Sequence, residues 1–329
     1  MCQGRQVKPA ILSMVETLLA AHGRDHGRLE QMAFFSNPDR RGKICLYLFE
    51  GRKRRPSFVV KLARTEHSRR TLRHEKQVYQ DLLTRNAFLR SYPPRLYYDT
   101  HDAVFVLETF IRGGRVLDRL GTDAHEDLAV DWLLRFQATR GDRRLHRADL
   151  AGLVSDLCRT VRADGVGGLA DSLEEWVANL RDFELSDVPI HGDYTSANLL
   201  LDDGRVFATD WEWVRTSGWP FEDIWFYLVY ASGLWESDLT RRVAATVPTL
   251  LGKTRYSARA RQTAYAFANA GGYPKGLVPG FALVTLLQRA VENRAEHLDW
   301  RQQRAGVCLR VLTELDKQTS RFWAYWKPT

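Results

Sequence analysis

The N-terminal part of the chain alternates between strand-like and helix-like spacing of apolar side chains. Apolar residues recur at helical spacing from Pro9 to Gly23, which predicts a short leading helix, because proline is favoured at a helix start and glycine at its end. Ser68–Asn86 also has the helical period. Short apolar runs bounded by turn residues predict five strands: Leu29–Ser36, Ile44–Glu50, Ser57–Ala63, Arg95–Thr100 and Ala103–Phe110.

The pattern changes at Gly113-Gly114, after which helical spacing dominates. Helical segments are predicted near 124–139, 148–162 and 169–182, and again from about Phe221 to the C-terminus. A β-rich segment, Val188–Trp213, interrupts them, and its Asp203-Gly204 pair predicts a tight turn. The sequence therefore predicts an α+β protein with a small β-rich lobe, residues 1–108, and a larger, mainly helical lobe, residues 109–329.

The composition fits a globular protein with one large domain or two lobes. The chain has 329 residues, of which 44% are hydrophobic, enough for each lobe to have its own core. No apolar run approaches the roughly 20 residues of a membrane-spanning helix. Glu16 interrupts the apolar N-terminal stretch and no cleavage site follows, so a secretory signal is not expected. The four scattered cysteines lack metal or redox spacing, which predicts a reduced, cytoplasmic protein.

The net charge of +8 is concentrated in the first lobe. Residues 1–108 contain 20 Lys and Arg against 11 Asp and Glu, whereas residues 109–329 contain 28 against 29. A basic lobe suits a polyphosphate, a nucleic acid or an anionic surface, although it can also be a solvated face. The basic clusters Arg52-Lys53-Arg54-Arg55 and Arg69-Arg70 have little aromatic interleaving. This weakens the nucleic-acid alternative, and no nucleic-acid partner is expected.

The strongest chemical signal is an aspartate followed five positions later by an asparagine, with a second aspartate after the next hairpin. The motif is His191-Gly192-Asp193-Tyr194-Thr195-Ser196-Ala197-Asn198, and Asp210-Trp211-Glu212 follows the strand Arg205–Thr209. This order fits a phosphoryl-transfer loop, in which Asp193 accepts or orients the hydroxyl proton while Asn198 and Asp210 bind Mg²⁺. Singly, they would be interpreted as turn residues and a strand-end cap. His191 fits a role in holding the loop better than one in proton transfer.

A second signal lies in the first lobe. Lys61 interrupts the apolar run Phe58–Leu62, as the lysine that contacts nucleotide phosphates does in kinases. An outward-facing lysine on an edge strand is the alternative. Glu75 follows Leu72 by three positions and precedes Tyr79 by four, which places it on the apolar face of its helix. Because a buried carboxylate needs a partner, the sequence predicts an ion pair between Lys61 and Glu75.

These motifs, together with Gly218-Trp219-Pro220-Phe221-Glu222-Asp223, resemble the aminoglycoside phosphotransferase and choline kinase family. The resemblance covers most of the chain, because the strand lysine, helix glutamate, hinge and catalytic segment occur in the expected order. It implies a bilobal protein-kinase-like fold, Mg²⁺ as the metal, and ATP or GTP as the phosphoryl donor. The acceptor it implies is a hydroxyl group of an aminoglycoside, a sugar or an amino alcohol.

The resemblance also implies roles for individual residues. Asp193 is the catalytic base, Asn198 and Asp210 are the Mg²⁺ ligands, and Lys61, held by Glu75, contacts the phosphates. The hinge Glu108–Ile111 holds the nucleotide base, so Glu108 and Phe110 are nucleotide-binding candidates. Asp223 braces the catalytic loop, with His191 as a second supporting residue. The chain departs from the pattern in lacking G-x-G-x-x-G, so that loop 37–43 would cover the phosphates with Gly42 as its one glycine.

Candidate acceptor-binding residues lie after the second aspartate. A polycationic acceptor requires clustered carboxylates, and Glu212 and Glu222 are accompanied by Trp213 and Trp219, which could stack on a ring. Further acidic candidates are Asp223, Glu236, Asp238, Glu292, Glu296 and Asp299. The alternatives to a kinase are a catalytically weak kinase-like scaffold or regulator and a binder of an anionic surface. The sequence gives no oligomeric state.

Overall fold

The computed structural model describes residues 9–24, 26–35, 43–51, 53–115, 123–234, 238–292 and 299–328. The chain forms two compact units, Met1–Arg112 and Gly113–Thr329. The sequence pattern predicts the boundary after residue 108, and in the structure it lies slightly later, after Arg112. The reason is that Phe110 N still donates a hydrogen bond to Ser57 O in the first unit.

The first unit consists of a five-stranded sheet and three helices. The strand order is β1-β2-β3-β5-β4, and every neighbouring pair is antiparallel. The elements are α1 (Pro9–Ala21), β1 (Leu29–Phe35), β2 (Ile44–Glu50), β3 (Phe58–Leu62), α2 (Glu66–Arg85), α3 (Ala87–Arg90), β4 (Arg95–Asp99) and β5 (Val104–Thr109).

The alternation of side chains along β3 and β5 gives this sheet two different faces. Phe58 and Val60 on β3 belong to a core cluster that includes Val15 of α1. On the opposite face, Val106 of β5 packs in a cluster with Leu72 of α2. Because neighbouring residues of a strand point to opposite faces, Lys61 lies on the same face as Val106, with which it is paired in register.

The second unit is mainly helical with three small sheets, ordered β11-β10-β6, β12-β9 and β7-β8. Its strands are β6 (Gly114–Arg115), β7 (Arg144–His146), β8 (Glu184–Ser186), β9 (Val188–Ile190), β10 (Leu199–Asp202), β11 (Arg205–Ala208) and β12 (Arg215–Gly218). Its helices are α4 (Asp123–Phe136), α5 (Arg147–Val161), α6 (Gly167–Ala178), α7 (Phe221–Val229), α8 (Leu239–Leu250), α9 (Arg255–Gly271), α10 (Leu277–Glu292), α11 (Asp299–Asp316) and α12 (Thr319–Trp326).

The core of the second unit is centred on α7 and α10. Every residue of α7 is buried, and so is almost all of α10 up to Leu287. Helices that are apolar on all sides lie in the interior of a large domain. In the described part of the chain, no helix combines the length and the apolar character that crossing a membrane requires.

Candidate active site

Three charged side chains lie on one face of the first unit's sheet, on the adjacent strands β3, β5 and β4. In the antiparallel register Glu108 is opposite Arg95 on one side and Val59 on the other. Lys61, two residues after Val59, is therefore a diagonal neighbour of Glu108 on the same face. Lys61 Nζ lies 3.5 Å from Glu108 Oε2, and Arg95 Nη2 forms an ion pair with Glu108 Oε1. The sheet thus assembles a row of alternating charges.

Glu75 of α2 extends this row. Its side chain is fully buried, and its Oε1 accepts hydrogen bonds from Arg95 Nη2 and, at 3.2 Å, from the Tyr97 hydroxyl. The prediction of an ion pair between Lys61 and Glu75 is therefore wrong. Arg95 binds the Glu75 carboxylate instead. The sequence analysis missed Arg95, because spacing along the chain does not give the strand register that places Arg95 opposite Glu108.

Arg95 keeps its charge despite its burial. Burial alone would lower the pKa of its guanidinium, but the negative charges of Glu108 and Glu75 hold that pKa well above its usual value. A carboxylate that is buried must be paired with a cation. Arg95 is therefore the shared counter-ion of Glu75 and Glu108.

Asp193 lies in the loop after β9 and is held by Asn198. The Asn198 side-chain nitrogen donates to the Asp193 backbone oxygen at 2.9 Å and to its carboxylate Oδ2 at 2.8 Å. Asp193 is only 7% exposed. The double contact fixes the aspartate side chain and orients the asparagine amide, so that its oxygen is directed away from Asp193.

The β10–β11 hairpin brings Asp210 next to Asn198. Asn198 directly precedes β10 and Asp210 follows β11 after one residue, Thr209. Thr209 N donates to Asn198 O at 2.8 Å, and the Thr209 hydroxyl donates to the same oxygen at 3.0 Å. The far end of the hairpin turns at Asp203-Gly204, where both residues have positive φ, as a two-residue turn of the predicted type requires.

Asp210 and Asn198 have the chemistry of a Mg²⁺ site. Asp210 has φ of 61°, an uncommon conformation for a residue other than glycine, and such residues cluster at functional sites. A carboxylate and an amide oxygen are hard donors that suit Mg²⁺. The described residues contain no cluster of three His, Cys, Asp or Glu that could hold a metal. An ion held by Asn198 and Asp210 would complete its coordination with water and phosphate, as Mg²⁺ commonly does.

Asp223, in the first turn of α7, anchors the backbone just before Asp193. Its carboxylate accepts from His191 N at 2.7 Å and from Gly192 N at 2.9 Å. Burial raises the pKa of Asp223 to about 6, while the two backbone hydrogen bonds act in the opposite direction. These are the contacts expected of a residue that braces the catalytic loop.

We expect Asp223→Asn to lower kcat by about tenfold or more. An asparagine has one acceptor oxygen and a donating NH₂ group, so one of the two buried N–H groups loses its partner. An unsatisfied buried donor costs about 1–3 kcal/mol, which loosens the loop. Activity and thermal unfolding measured together test this, and native values of both would contradict the bracing role.

The raised pKa of Asp223 predicts a pH dependence. The pKa of about 6 in the folded protein lies above the ordinary aspartate value of 3.8, so protonation adds stability that is fully present below pH 3.8 and lost as the pH rises through 6. Activity should behave in the opposite way, because the protonated carboxyl accepts the two N–H groups poorly and kcat falls below about pH 6. In Asp223→Asn this acidic limb should be absent from the kcat–pH profile, and an unchanged limb would contradict the assignment.

Gly192 is a position at which the loop requires glycine. Its φ is +81°, and a Cβ atom there would lie 2.3 Å from Trp213 O. Gly204, in the β10–β11 turn, has φ of +70° but open space around its Cβ position. We expect Gly204→Ala to cost about 1–2 kcal/mol of backbone strain, and Gly192→Ala to cost clearly more and to abolish activity. Chemical denaturation of both variants measures the difference, and equal costs would contradict this account.

His191 is packed in an aromatic cluster. Its side chain is fully buried, with its ring centroid 4.9 Å from that of Trp211 and 5.9 Å from that of Tyr194. Tyr194 stacks on Trp132 at 5.4 Å and donates its hydroxyl to Ala129 O at 2.6 Å. The cluster thereby fastens the catalytic loop to α4, and these contacts suit a supporting residue.

Arg289 of α10 also contacts this loop and was missed by the sequence analysis. Its guanidinium donates to Gly192 O and lies 4.2 Å from the ring centroid of Phe226. Arg289 and Gly192 are 97 residues apart in the chain, and no local pattern indicates such a contact. Gly192, the residue before Asp193, is thus held at its N–H by Asp223 and at its carbonyl oxygen by Arg289.

Two of the four acceptor-binding candidates are engaged inside the second unit. Glu222 is 4% exposed, and its two oxygens contact Arg215 Nη2 at 2.6 Å and Trp219 N at 2.8 Å. Trp219 is also buried and packs against Phe281 with ring centroids 5.5 Å apart. These contacts give both residues a role in the fold.

Glu212 and Trp213 are half-buried. Trp213 Nε1 donates to Glu212 Oε1 at 3.2 Å, so they remain the acceptor-binding candidates of this segment. Of the further carboxylates, Asp238 caps α8 through Arg241 N and Glu292 pairs with Arg289 at 3.2 Å. The described residues do not include Glu236 or Glu296, and they do not include the side chain of Asp299.

The predicted phosphate loop lies largely outside the described residues, which omit 36–42 and with them Gly42. The hinge is described. Phe110 N donates to Ser57 O at 2.9 Å, and the Phe110 ring contacts Tyr47 edge-on with centroids 5.9 Å apart.

A family model described as the phosphotransferase enzyme family matches residues 46–262. No curated protein sequence matches the chain.

Three solved structures have a similar fold. Macrolide 2′-phosphotransferase MphH from Brachybacterium faecium is 15% identical with a TM-score of 0.58, over 92% of this chain and 98% of that one. A choline/ethanolamine kinase family protein from Mesorhizobium loti is 13% identical with a TM-score of 0.54, over 96% and 98%. Spectinomycin phosphotransferase APH(9)-Ia, in complex with ADP and spectinomycin, is 12% identical with a TM-score of 0.51, over 96% and 100%.

Proposed function

Because the chain belongs to the phosphotransferase enzyme family and has its protein-kinase-like fold, we propose that it transfers the γ-phosphoryl group of ATP to a hydroxyl group of a small molecule, with Mg²⁺ as the metal. The observation that carries this proposal is the Asp193–Asn198–Asp210 arrangement. Asn198 binds the Asp193 carboxylate through its amide nitrogen and pairs with the residue before Asp210.

Asp193 is the proposed base. Its carboxylate orients the acceptor hydroxyl and accepts its proton as the oxygen attacks the γ-phosphorus. Its position depends on the bond from Asn198 and on the loop contacts of Asp223 and Arg289. Such preorganisation matters because phosphoryl transfer relies mainly on positioning and on electrostatic stabilisation.

Asn198 and Asp210 are the proposed metal ligands. Bound Mg²⁺ would neutralise the negative charge that develops on the phosphate oxygens. The hairpin fixes the two residues through backbone pairing, so little reorganisation of the protein is needed when the ion arrives with the nucleotide.

The first unit is proposed to bind the nucleotide. Lys61 would contact the phosphates as a point charge, and backbone groups of the hinge Glu108–Ile111 would bind the base. ATP is proposed as the donor because the spectinomycin phosphotransferase of similar fold was solved with ADP. Its acceptor is spectinomycin; for this chain we propose the broader class of aminoglycosides, macrolides, sugars and amino alcohols, with Glu212 and Trp213 as acceptor contacts.

A panel of these acceptors tests the proposal. The protein is incubated with ATP and Mg²⁺, and ADP release is measured with and without each acceptor, with product identified by mass spectrometry. At least one acceptor should stimulate ADP release and gain one phosphoryl group, and chelation of Mg²⁺ should stop both. ATP binding without stimulation or phosphorylation by any acceptor would favour a nucleotide-binding scaffold and contradict the proposed transfer.

A further inference from the structure

Arg95 occupies the centre of a buried row of four charges, which we call the charged row: Lys61, Glu108, Arg95 and Glu75. Lys61 Nζ lies 3.5 Å from Glu108 Oε2, and Arg95 Nη2 is ion-paired with both glutamates. The exposed fractions of the side chains are 12%, 14%, 7% and 0%, in that order. Since water screens charges poorly at such sites, each charge acts strongly on the next.

The charges of this row balance only while Arg95 is present. With it, two cations face two carboxylates. Without it, the negative charges of Glu75 and Glu108 would act on Lys61 with no offset from Arg95, and Glu108 already lies within ion-pair distance of the lysine. An ammonium surrounded by excess carboxylate attracts phosphate weakly, because the carboxylates repel the same anion.

We propose, on the basis of the proposed nucleotide site, that Arg95 is a positioning residue for the nucleotide: by pairing with Glu75 and Glu108 it offsets carboxylate charge that would otherwise oppose phosphate binding at Lys61. Arg95 touches no substrate in this account and acts through Lys61. Tyr97 supports it, because its hydroxyl donates to the same Glu75 oxygen that Arg95 binds.

A purely structural role for Arg95 makes different predictions. Arg95 of β4 ties α2 to the sheet through Glu75, and loss of a tie would weaken the binding of every ligand of this unit. Removing a carboxylate would also not repair the loss of this tie. The electrostatic role instead affects ligands that carry phosphate, and it is repaired when the surplus carboxylate is neutralised.

The test compares MgATP with adenosine, which lacks phosphates, by isothermal titration calorimetry. Arg95→Met keeps a long side chain and removes the charge. We expect its dissociation constant for MgATP to rise about tenfold or more, and that for adenosine to change less than about threefold. Equal weakening of both ligands, or native affinity for MgATP, would overturn the inference.

A second carboxylate substitution supplies the rescue. In Arg95→Met/Glu75→Gln the balance between Lys61 and Glu108 is restored, and MgATP affinity should return to within about threefold of native. The matched control, Arg95→Met/Glu66→Gln, removes an exposed carboxylate of the same helix α2 and should not recover. Failure of the first double variant to recover overturns the inference.

Glu75→Gln alone keeps the test decisive if Arg95→Met does not fold. This variant leaves both cations with one carboxylate. Its affinity for MgATP should therefore equal or exceed that of the native chain. A tenfold weaker affinity overturns the inference. Native protein that binds no MgATP would overturn the proposed function together with this inference. Native binding with a failed rescue would overturn the role of Arg95 alone.

Discussion

Asp193→Asn is expected to lower kcat by about 10²–10⁴-fold, with the affinity for MgATP within a few-fold of native. The substitution keeps the shape of the side chain and an oxygen that can accept the hydrogen bond from Asn198 Nδ2, so the loop should keep its conformation. What is lost is the carboxylate that accepts the hydroxyl proton. Steady-state kinetics with the best acceptor of the panel, together with MgATP binding, measure the two effects separately.

Asp182→Asn is the matched control for this experiment. Asp182 lies in the same unit and its side chain is 89% exposed, so the same chemical change should leave kcat near its native value. Near-native turnover in Asp193→Asn would remove Asp193 from the reaction. Loss of MgATP affinity in the same variant would instead indicate that the residue acts on the nucleotide.

Asp210→Asn is expected to lower kcat by about 10²–10³-fold and to raise the Mg²⁺ concentration needed for half-maximal activity. Asparagine tolerates positive φ, so the backbone at φ 61° should be preserved while one negative charge at the metal is lost. A loss of about 3–4 kcal/mol of charge stabilisation corresponds to this range. A Mg²⁺ titration of the initial rate measures both quantities.

The same hairpin contains the control for this substitution. Asp203 also has positive φ, 47°, and Asp203→Asn makes the identical change at the opposite end of the β10–β11 hairpin. It should leave the Mg²⁺ requirement unchanged. Equal effects of the two substitutions would mean that the loss arises from the hairpin and not from metal binding.

The strands of the first unit could be predicted from the sequence because their apolar runs are short and bounded by turn residues. The predicted segments Ile44–Glu50 and Ser57–Ala63 agree with β2 and β3 to within a residue at each end. The predicted α+β, kinase-like fold is confirmed. The catalytic segment is specific by itself, whereas Lys61 and Glu75 are weak signals alone and support the family only through their order along the chain.

The pairing of buried charges could not be predicted in the same way. Helical spacing correctly placed Glu75 on the buried face of α2, but spacing gives only a direction and not the partner. The partner, Arg95, depends on strand register between β4 and β5. Once the register is known, Arg95 lies opposite Glu108 and reaches both glutamates, which leaves Lys61 paired with Glu108.

The supports of the catalytic loop come from distant parts of the chain. Asp223 binds backbone groups 31 and 32 residues away, and Arg289 binds one 97 residues away. Asp223 could be indicated by the family motif around Gly218, whereas Arg289 lies on a helix whose sequence gives no sign of the contact. Tertiary packing of α7 and α10 determines both contacts.

Asn198 and Asp210 are proposed to bind the metal, while Asp193 is proposed to act on the acceptor. Mn²⁺ can replace Mg²⁺ as a spectroscopic probe at oxygen ligands, and its binding is measured by electron paramagnetic resonance with a non-hydrolysable ATP analogue. The account predicts that the native chain and Asp193→Asn bind Mn²⁺ with similar affinity in the nucleotide complex, and that Asp210→Asn binds it at least tenfold more weakly. Native Mn²⁺ affinity in Asp210→Asn would contradict the account.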